Sequence, residues 1–296
     1  MDTIIEKYKE KLIDLLIAFD KFCTENNLNY YASGGTAIGV VRHKGFIPWD
    51  DDIDVVMPRA DYNRMIELRN TLDPDKYFIK TLGDEDYLYA YGKFCDAQTT
   101  LVEYKIYPGC IIGVNIDVFP IDEVLDDKET LCIKRKKFHS LHERFLITYQ
   151  KLSMRNLLSY IRHGEIKKAF ESLYYGMLAT ESIKIQTREL FVEFEKEWQL
   201  DKGFFLYNHS AFYPLEKELL SKYWFDDFIY MPFENTKIRM MKGYDQYLSQ
   251  LFGDYMTPPP LDKQVLQHSH YYLNLKERLS KNEIEIRLTN DEHFVF

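Results

Sequence analysis

The residues that could do chemistry crowd into one stretch near the start of the chain. Ser33-Gly34-Gly35-Thr36 ends the apolar run LNYYA and opens an amphipathic one, so it reads as a strand-to-helix turn. Backbone N–H groups at such a turn, with a helix N-terminus behind them, suit a phosphate. A Gly-Gly turn is also common for steric reasons alone, so it decides little by itself. IPWDDDID follows closely. There Asp52 and Asp54 flank one apolar residue on an expected strand, which sends both carboxylates to the same face. Two such carboxylates repel unless a cation sits between them, and a hard divalent ion, Mg²⁺ most naturally, answers that need. Asp50 and Asp51 read as a solvated loop. Asp54 does not, because Ile53, Val55, Val56 and Met57 surround it and an embedded carboxylate needs a partner. Asp117, between Ile116 and Val118 in VNIDVFPID, stands in the same setting, whereas Asp122 reads as a turn or cap.

The elements that must hold these groups follow from periodicity. Ile5, Tyr8, Leu12, Leu15, Leu16, Phe19 and Phe22 recur at helical spacing, which predicts one amphipathic helix over 3–25. A short strand at LNYYAS and a helix from TAIGVVRHK come next. A buried strand over Ile53–Met57 and a helix from Pro58 to about Asn70 follow. Further strands are expected at 77–81, 88–94, 99–104 and 111–119. The result is a mixed α/β sheet with helices packed on it. Residues 126–200 contain two glycines and no proline and read as long helices. The tail reads as a hairpin, a helix over 244–252 and a proline-rich stop. We therefore divide the chain into a core over 1–125, a helical basic insert over 126–210 and a C-terminal lobe over 211–296 that closes the cleft.

Composition excludes other classes. The chain has 296 residues, 46% hydrophobic, which supports a packed core rather than disorder. A net charge of −9 argues against nucleic acid as a partner. No run of residues reaches a membrane span, MDTIIEKYKEK lacks the apolar character of a leader, and Cys23, Cys95, Cys110 and Cys132 lack CxxC spacing. The expectation is a cytoplasmic protein with reduced thiols. Charge is uneven, however. Residues 134–170 hold ten Lys/Arg against two Glu, with apolar residues interleaved. That stretch is either an insert packed on the core or a peripheral contact with anionic lipid at the inner membrane face. His268 and His270, without a third histidine or a cysteine nearby, make a poor zinc pair and read as structural.

Gly-Gly, an Asp-x-Asp strand end and a lone Asp on a later strand together resemble the polymerase-β-type nucleotidyltransferase superfamily. The wording of YYASGGTAIGVVRHKGFIPWDDDIDVVMPRADY and VNIDVFPID, with MPFENTKIRM and GYDQYLSQLFGDYMTPP later, resembles the LicD family, whose relatives include the fukutin group. The resemblance implies transfer of an alcohol phosphate, phosphocholine being the best-known case, from a CDP-alcohol to a hydroxyl of a cell-surface or lipid-linked glycan, with release of CMP. It implies a Mg²⁺ site at Asp52, Asp54 and Asp117, with Asp117 either completing the metal shell or accepting the acceptor's proton. Ser33, Gly34, Gly35 and Thr36 would grip the diphosphate, and Arg42, His43 and Lys44 the leaving nucleotide. For His43 the plainer reading is a basic helix end complementing the dipole. A choline head group needs aromatic faces, for which Trp49, Tyr89, Tyr91, Tyr107 and Trp224 are candidates. Asp254, Tyr255 and His268 are expected on the rim. The alternatives are a CDP-glycerol or CDP-ribitol phosphotransferase, nucleotidyl transfer from a nucleoside triphosphate, and a silent scaffold relative.

Overall fold

The computed structural model describes residues 2–105, 107, 109–125, 127–149, 154–178, 181–198, 202–211, 213–266, 268, 270–290 and 292–295. Helix α1 (Asp2–Glu25) lays Leu12, Leu16 and Phe19 on the sheet, as its apolar spacing requires. Strand β1 (Tyr31–Ala32) then runs into α2 (Gly34–His43), and β2 (Asp54–Pro58) runs into α3 (Arg59–Glu67). Strands β3 (Tyr77–Lys80), β4 (Gly92–Asp96), β5 (Thr100–Val102) and β6 (Asn115–Val124) follow. The main sheet has the order β1-β2-β6-β4-β3, with β2 parallel to β6 and the other pairs antiparallel. This is the mixed α/β sheet flanked by helices.

Several strand boundaries differ from expectation; β6, for one, starts at Asn115 rather than at 111. Residues 88–91 form no strand, and β4 begins only at Gly92. Strand β6 does not stop before Pro120 but runs through it to Val124. It can do so because the β4 pairing ends at Val118 and the next partner begins at Asp122, so no neighbour needs the N–H that proline lacks. Asp122 is consequently a buried strand residue, not a turn or cap. It forms a bidentate pair with Arg59 (2.7 Å to each oxygen), and His209 Nε2 lies at 2.9 Å.

Four helices follow: α4 (Lys128–Tyr149), α5 (Met154–Arg162), α6 (Ile166–Leu178) and α7 (Glu181–Trp198). The chain then rejoins the sheet, as β7 (Phe205–Tyr207) pairs with the end of β6. The short α8 (Leu215–Glu218) and β8 (Leu220–Ser221) lead to the hairpin β9 (Phe228–Phe233) and β10 (Thr236–Met241). Helix α9 (Tyr244–Phe252) coincides with its expected span. Strand β11 (Tyr272–Asn274), helix α10 (Lys281–Thr289) and β12 (Phe294–Val295) end the chain, with β11 bridging β5 and β12. No described helix is long and apolar enough to cross a membrane.

Arg239 fastens the hairpin to α1. Its guanidinium reaches Asp20 (3.0 Å), Leu28 O (2.8 Å) and Thr24 Oγ1 (2.5 Å), and lies over the Tyr30 and Phe228 rings. With its side chain 5% exposed, removal strands Asp20 without its cation. Arg239→Ala is therefore expected to cost about 3 kcal/mol or more in urea unfolding. A loss under about 1 kcal/mol would show that the hairpin is held by apolar packing alone.

Candidate active site

Register brings the acids together. Asp54 and Asp117 are direct partners on parallel β2 and β6, so their side chains leave the same face. The start of α2 is tied to the same place: Asp54 N donates to Thr36 Oγ1 (2.9 Å) and Ser33 N to Asp54 O (3.0 Å). Gly34 has φ +54°, the left-handed region, and its N–H donates to the Tyr247 hydroxyl at 3.2 Å. A Cβ on Gly34 would stand 3.5 Å from Asp54 Oδ2, and one on Gly35 only 2.6 Å from Asp50 Oδ2. The glycines thus let a helix N-terminus, with its partial positive charge, approach the carboxylates closely. Gly39 serves packing instead, since a Cβ there would meet Gly45 O at 2.5 Å.

A cavity of about 450 Å³ joins these groups to others that the sequence did not single out. Asp51, Asp52, Asp54 and Asp117 line it together with Lys93, Glu103 and Asn115. Lys93 Nζ lies 2.6 Å from Asp117 Oδ1 and 3.2 Å from Glu103 Oε1, and Asn115 Nδ2 donates to the same Asp117 oxygen at 2.6 Å. The Tyr89 hydroxyl donates to Glu103, and Lys93 lies over the Tyr89 ring. Burial alone would lower Lys93, but Asp117 and Glu103 outweigh it and hold the ammonium well above its ordinary value. A lysine on the strand GKFCD was the one signal the sequence offered for this network.

The acids themselves are electrostatically crowded. Burial, then the charges of Asp117 and Asp50, push Asp54 up to about 8. Burial with Asp54 and Asp50 raises Asp52 well above the carboxylate range. Burial also raises Asp117, against the pull of Lys93. Carboxyl oxygens crowded in this way are the donor type that a hard divalent cation takes.

Asp51 is not a solvated loop residue. It is 3% exposed and accepts from His268 Nδ1 at 2.8 Å, while His268 Nε2 lies 3.3 Å from Asp52. The hydrogen bond to Asp51 raises His268 to about 8. His268 therefore reaches the acids while its side chain stays 43% exposed, as a rim position allows. His270 is also there, 3.9 Å from Asp51 and packed on the Tyr8 ring, and burial lowers it. The donor atoms of Asp50, Asp51 and His268 all lie within 4.8 Å of one another. The two histidines were hard to place because 217 positions separate His268 from Asp51.

The aromatic candidates divide. Tyr89, Tyr91 and Tyr107 line the cavity, joined by Tyr104 and Phe119, and by Phe138, His139, His142 and Leu146 of α4. Burial lowers both His139 and His142, which favours their neutral form. Trp49 and Trp224 do not line it. Trp49 lies under Arg42 and beside His43, and Trp224 packs where a Cβ on Gly243 would have to stand. Arg42, His43 and Lys44 close the C-terminal end of α2, roughly 13 Å along the axis from Gly34, where the charges of Arg42 and Lys44 complement the dipole. Arg42 donates to Tyr255 O at 3.0 Å, Tyr255 to Asp245 at 2.6 Å, and Asp254 accepts from Thr257 at 2.7 Å. These contacts place Asp254 and Tyr255 at that outer end of α2, apart from the acids.

Comparison with known proteins agrees with this geometry. Residues 27–159 match the family model described as LicD/FKTN/FKRP, nucleotidyltransferase domain. The chain is 29% identical over 262 residues to the lipopolysaccharide cholinephosphotransferase LicD of Haemophilus influenzae, covering 86% of this chain and 92% of that protein. Shorter matches, 40% identical over 58 and 66 residues, connect it to uncharacterised proteins of Rickettsia typhi and Rickettsia prowazekii. Each covers 20% of this chain, and 19% and 25% of those proteins respectively. The matched segment contains the glycine turn, both acid-bearing strands and the α4 wall, and over it the chain is similar to the LicD family.

Proposed function

We propose that the protein is a Mg²⁺-dependent transferase that moves phosphocholine from CDP-choline to a hydroxyl of a lipopolysaccharide-type glycan and releases CMP. The observation that carries this reading is one cavity lined by acids and tyrosines together. Among its described lining residues, five carboxylates face a single lysine. Such a site attracts cations, both a metal and a quaternary ammonium. The similarity to a cholinephosphotransferase over most of the chain supports the same head group.

Asp52, Asp54 and Asp117 would hold the metal, with Lys93 and Asn115 fixing the orientation of Asp117 through its Oδ1. Mg²⁺ bound there would neutralise charge on the phosphate being transferred. The N-terminus of α2 presents Gly34 and Gly35 to the diphosphate, and Thr36 keeps that terminus against Asp54. Tyr89, Tyr91 and Tyr107 enclose the trimethylammonium group, which cannot donate a hydrogen bond. In the transfer the acceptor oxygen forms a bond to the phosphorus that carries choline. The P–O bond to CMP breaks, CMP leaves with the electron pair, and the hydroxyl proton passes to a base or to water.

Incubation with CDP-choline, CDP-glycerol or CDP-ribitol plus Mg²⁺ and lipopolysaccharide, with CMP followed by chromatography, tests this. CMP is expected from CDP-choline. Release from CDP-glycerol or CDP-ribitol alone would refute the head group, and pyrophosphate from a nucleoside triphosphate would replace the reaction class. Tyr107→Leu is expected to raise KM for CDP-choline by roughly 5- to 30-fold, the loss of ~1–2 kcal/mol from one aromatic face. An unchanged KM would remove Tyr107 from the head-group wall.

A further inference from the structure

The basic stretch 134–170 is divided by the fold. Its first cations belong to α4 and have partners on neighbouring elements: Arg135 reaches Ala211 O at 3.4 Å, and Lys137 lies 4.1 Å over the Phe194 ring and 3.5 Å from Glu197. The next two helices differ. Met154, Leu158 and Ile161 recur at i, i+4 and i+7 along α5, and Ile166, Phe170 and Tyr174 at i, i+4 and i+8 along α6. All six are between 47% and 70% exposed. The Phe170 and Tyr174 rings stack at 6.1 Å, so the α6 stripe is continuous, and the two helices pack on one another.

Apolar surface of this extent on a water-facing helix pair calls for a cover. Charge identifies which one. Residues 154–170 carry four Lys/Arg against one Glu, in a chain whose net charge is −9. Two copies placed patch to patch would set like charges against each other, which disfavours self-association. Anionic phosphate headgroups above an apolar layer complement both features. The patch is also near the cavity, because Tyr160 of α5 lies close enough to Tyr107 to disfavour ionisation of its phenol.

We propose that the α5–α6 helix pair docks on an anionic lipid bilayer, its apolar stripes entering the headgroup region and its cations meeting lipid phosphates.

Co-sedimentation with vesicles of phosphatidylcholine, alone or mixed with phosphatidylglycerol, tests this on the full chain. The protein is expected to pellet at least about ten-fold more with the mixed vesicles at low salt. Binding should fade as salt rises, since exposed charges are screened over ~10 Å at 0.1 M. Leu158→Ser with Phe170→Ser should lose most of the binding, and Arg162→Gln with Lys168→Gln should lose its salt-sensitive part. All four side chains are solvent-exposed or flank the turn, and melting curves verify that both variants fold. Equal pellets on the two vesicle types, or variants that sediment like the wild type, would overturn the proposal. So would a dimer in gel filtration that the Ser variant dissociates while no vesicle binding is seen.

Discussion

Asp54→Asn is expected to lower CMP release by at least about 10³-fold, the scale on which charge-stabilising groups at transferring centres act, and to abolish the response of the melting temperature to Mg²⁺. Asp54 pairs in register with Asp117 and faces the Gly34–Gly35 turn, so a cation held there and the helix terminus would both act on its carboxylate. Asparagine keeps the shape and removes the charge. The metal-free protein should therefore melt within a degree or two of wild type, which makes the metal response the informative readout. Wild type should gain stability with Mg²⁺ by mass action on the folded state. A variant that gains the same stability would mean that the ion binds elsewhere, and normal turnover would remove Asp54 from the site.

The largest loss of stability is expected at Asp122. Its carboxylate is 1% exposed, gripped by Arg59 through two bonds and approached by His209, while Glu195 meets Arg59 at 3.1 Å. Burial opposes its ionisation, but the bonds from His209 and Arg59 win and hold it far below the ordinary carboxylate range. A depressed folded-state value means that the stabilisation is complete above the unfolded value near 3.9 and is lost as pH falls below it. Asp122→Asn leaves Arg59 short of a partner and should cost about 3–5 kcal/mol at neutral pH, lowering Tm by roughly 10 °C. Below pH ~4 the two proteins should converge. Parallel stability curves from pH 7 to 3 would show that this pair does not carry the acid sensitivity.

The catalytic part of the chain was readable because its signals are local. A Gly-Gly turn, an Asp-x-Asp strand end and Asp117 in an apolar run each break a short-range rule, and each lies where a strand or its end presents it. Periodicity likewise sufficed for α1 and α9. What stayed hidden depends on distant partners. Lys93 becomes a site residue only because β4 pairs with β6, and His268 only because the C-terminal segment returns to Asp51. Tyr89 and Tyr91 line the cavity as the sequence reading proposed, although their segment, expected to be a strand, forms no ladder at 88–91. The tryptophans failed for the opposite reason. Aromatic character alone does not tell a ligand wall from a packing surface, and Trp224 is taken up by Gly243.

Helix α4 has a consequence for how such a protein diversifies. Asp54 and Asp117 stand on strands paired in register with one another, and β4 flanks Asp117 on the other side, so exchanges there disturb the sheet. His139, His142 and Leu146 stand on a helix and contact the same cavity without belonging to any ladder. Exchanges on α4 can therefore reshape one wall of the cavity while leaving the acid-bearing strands as they are.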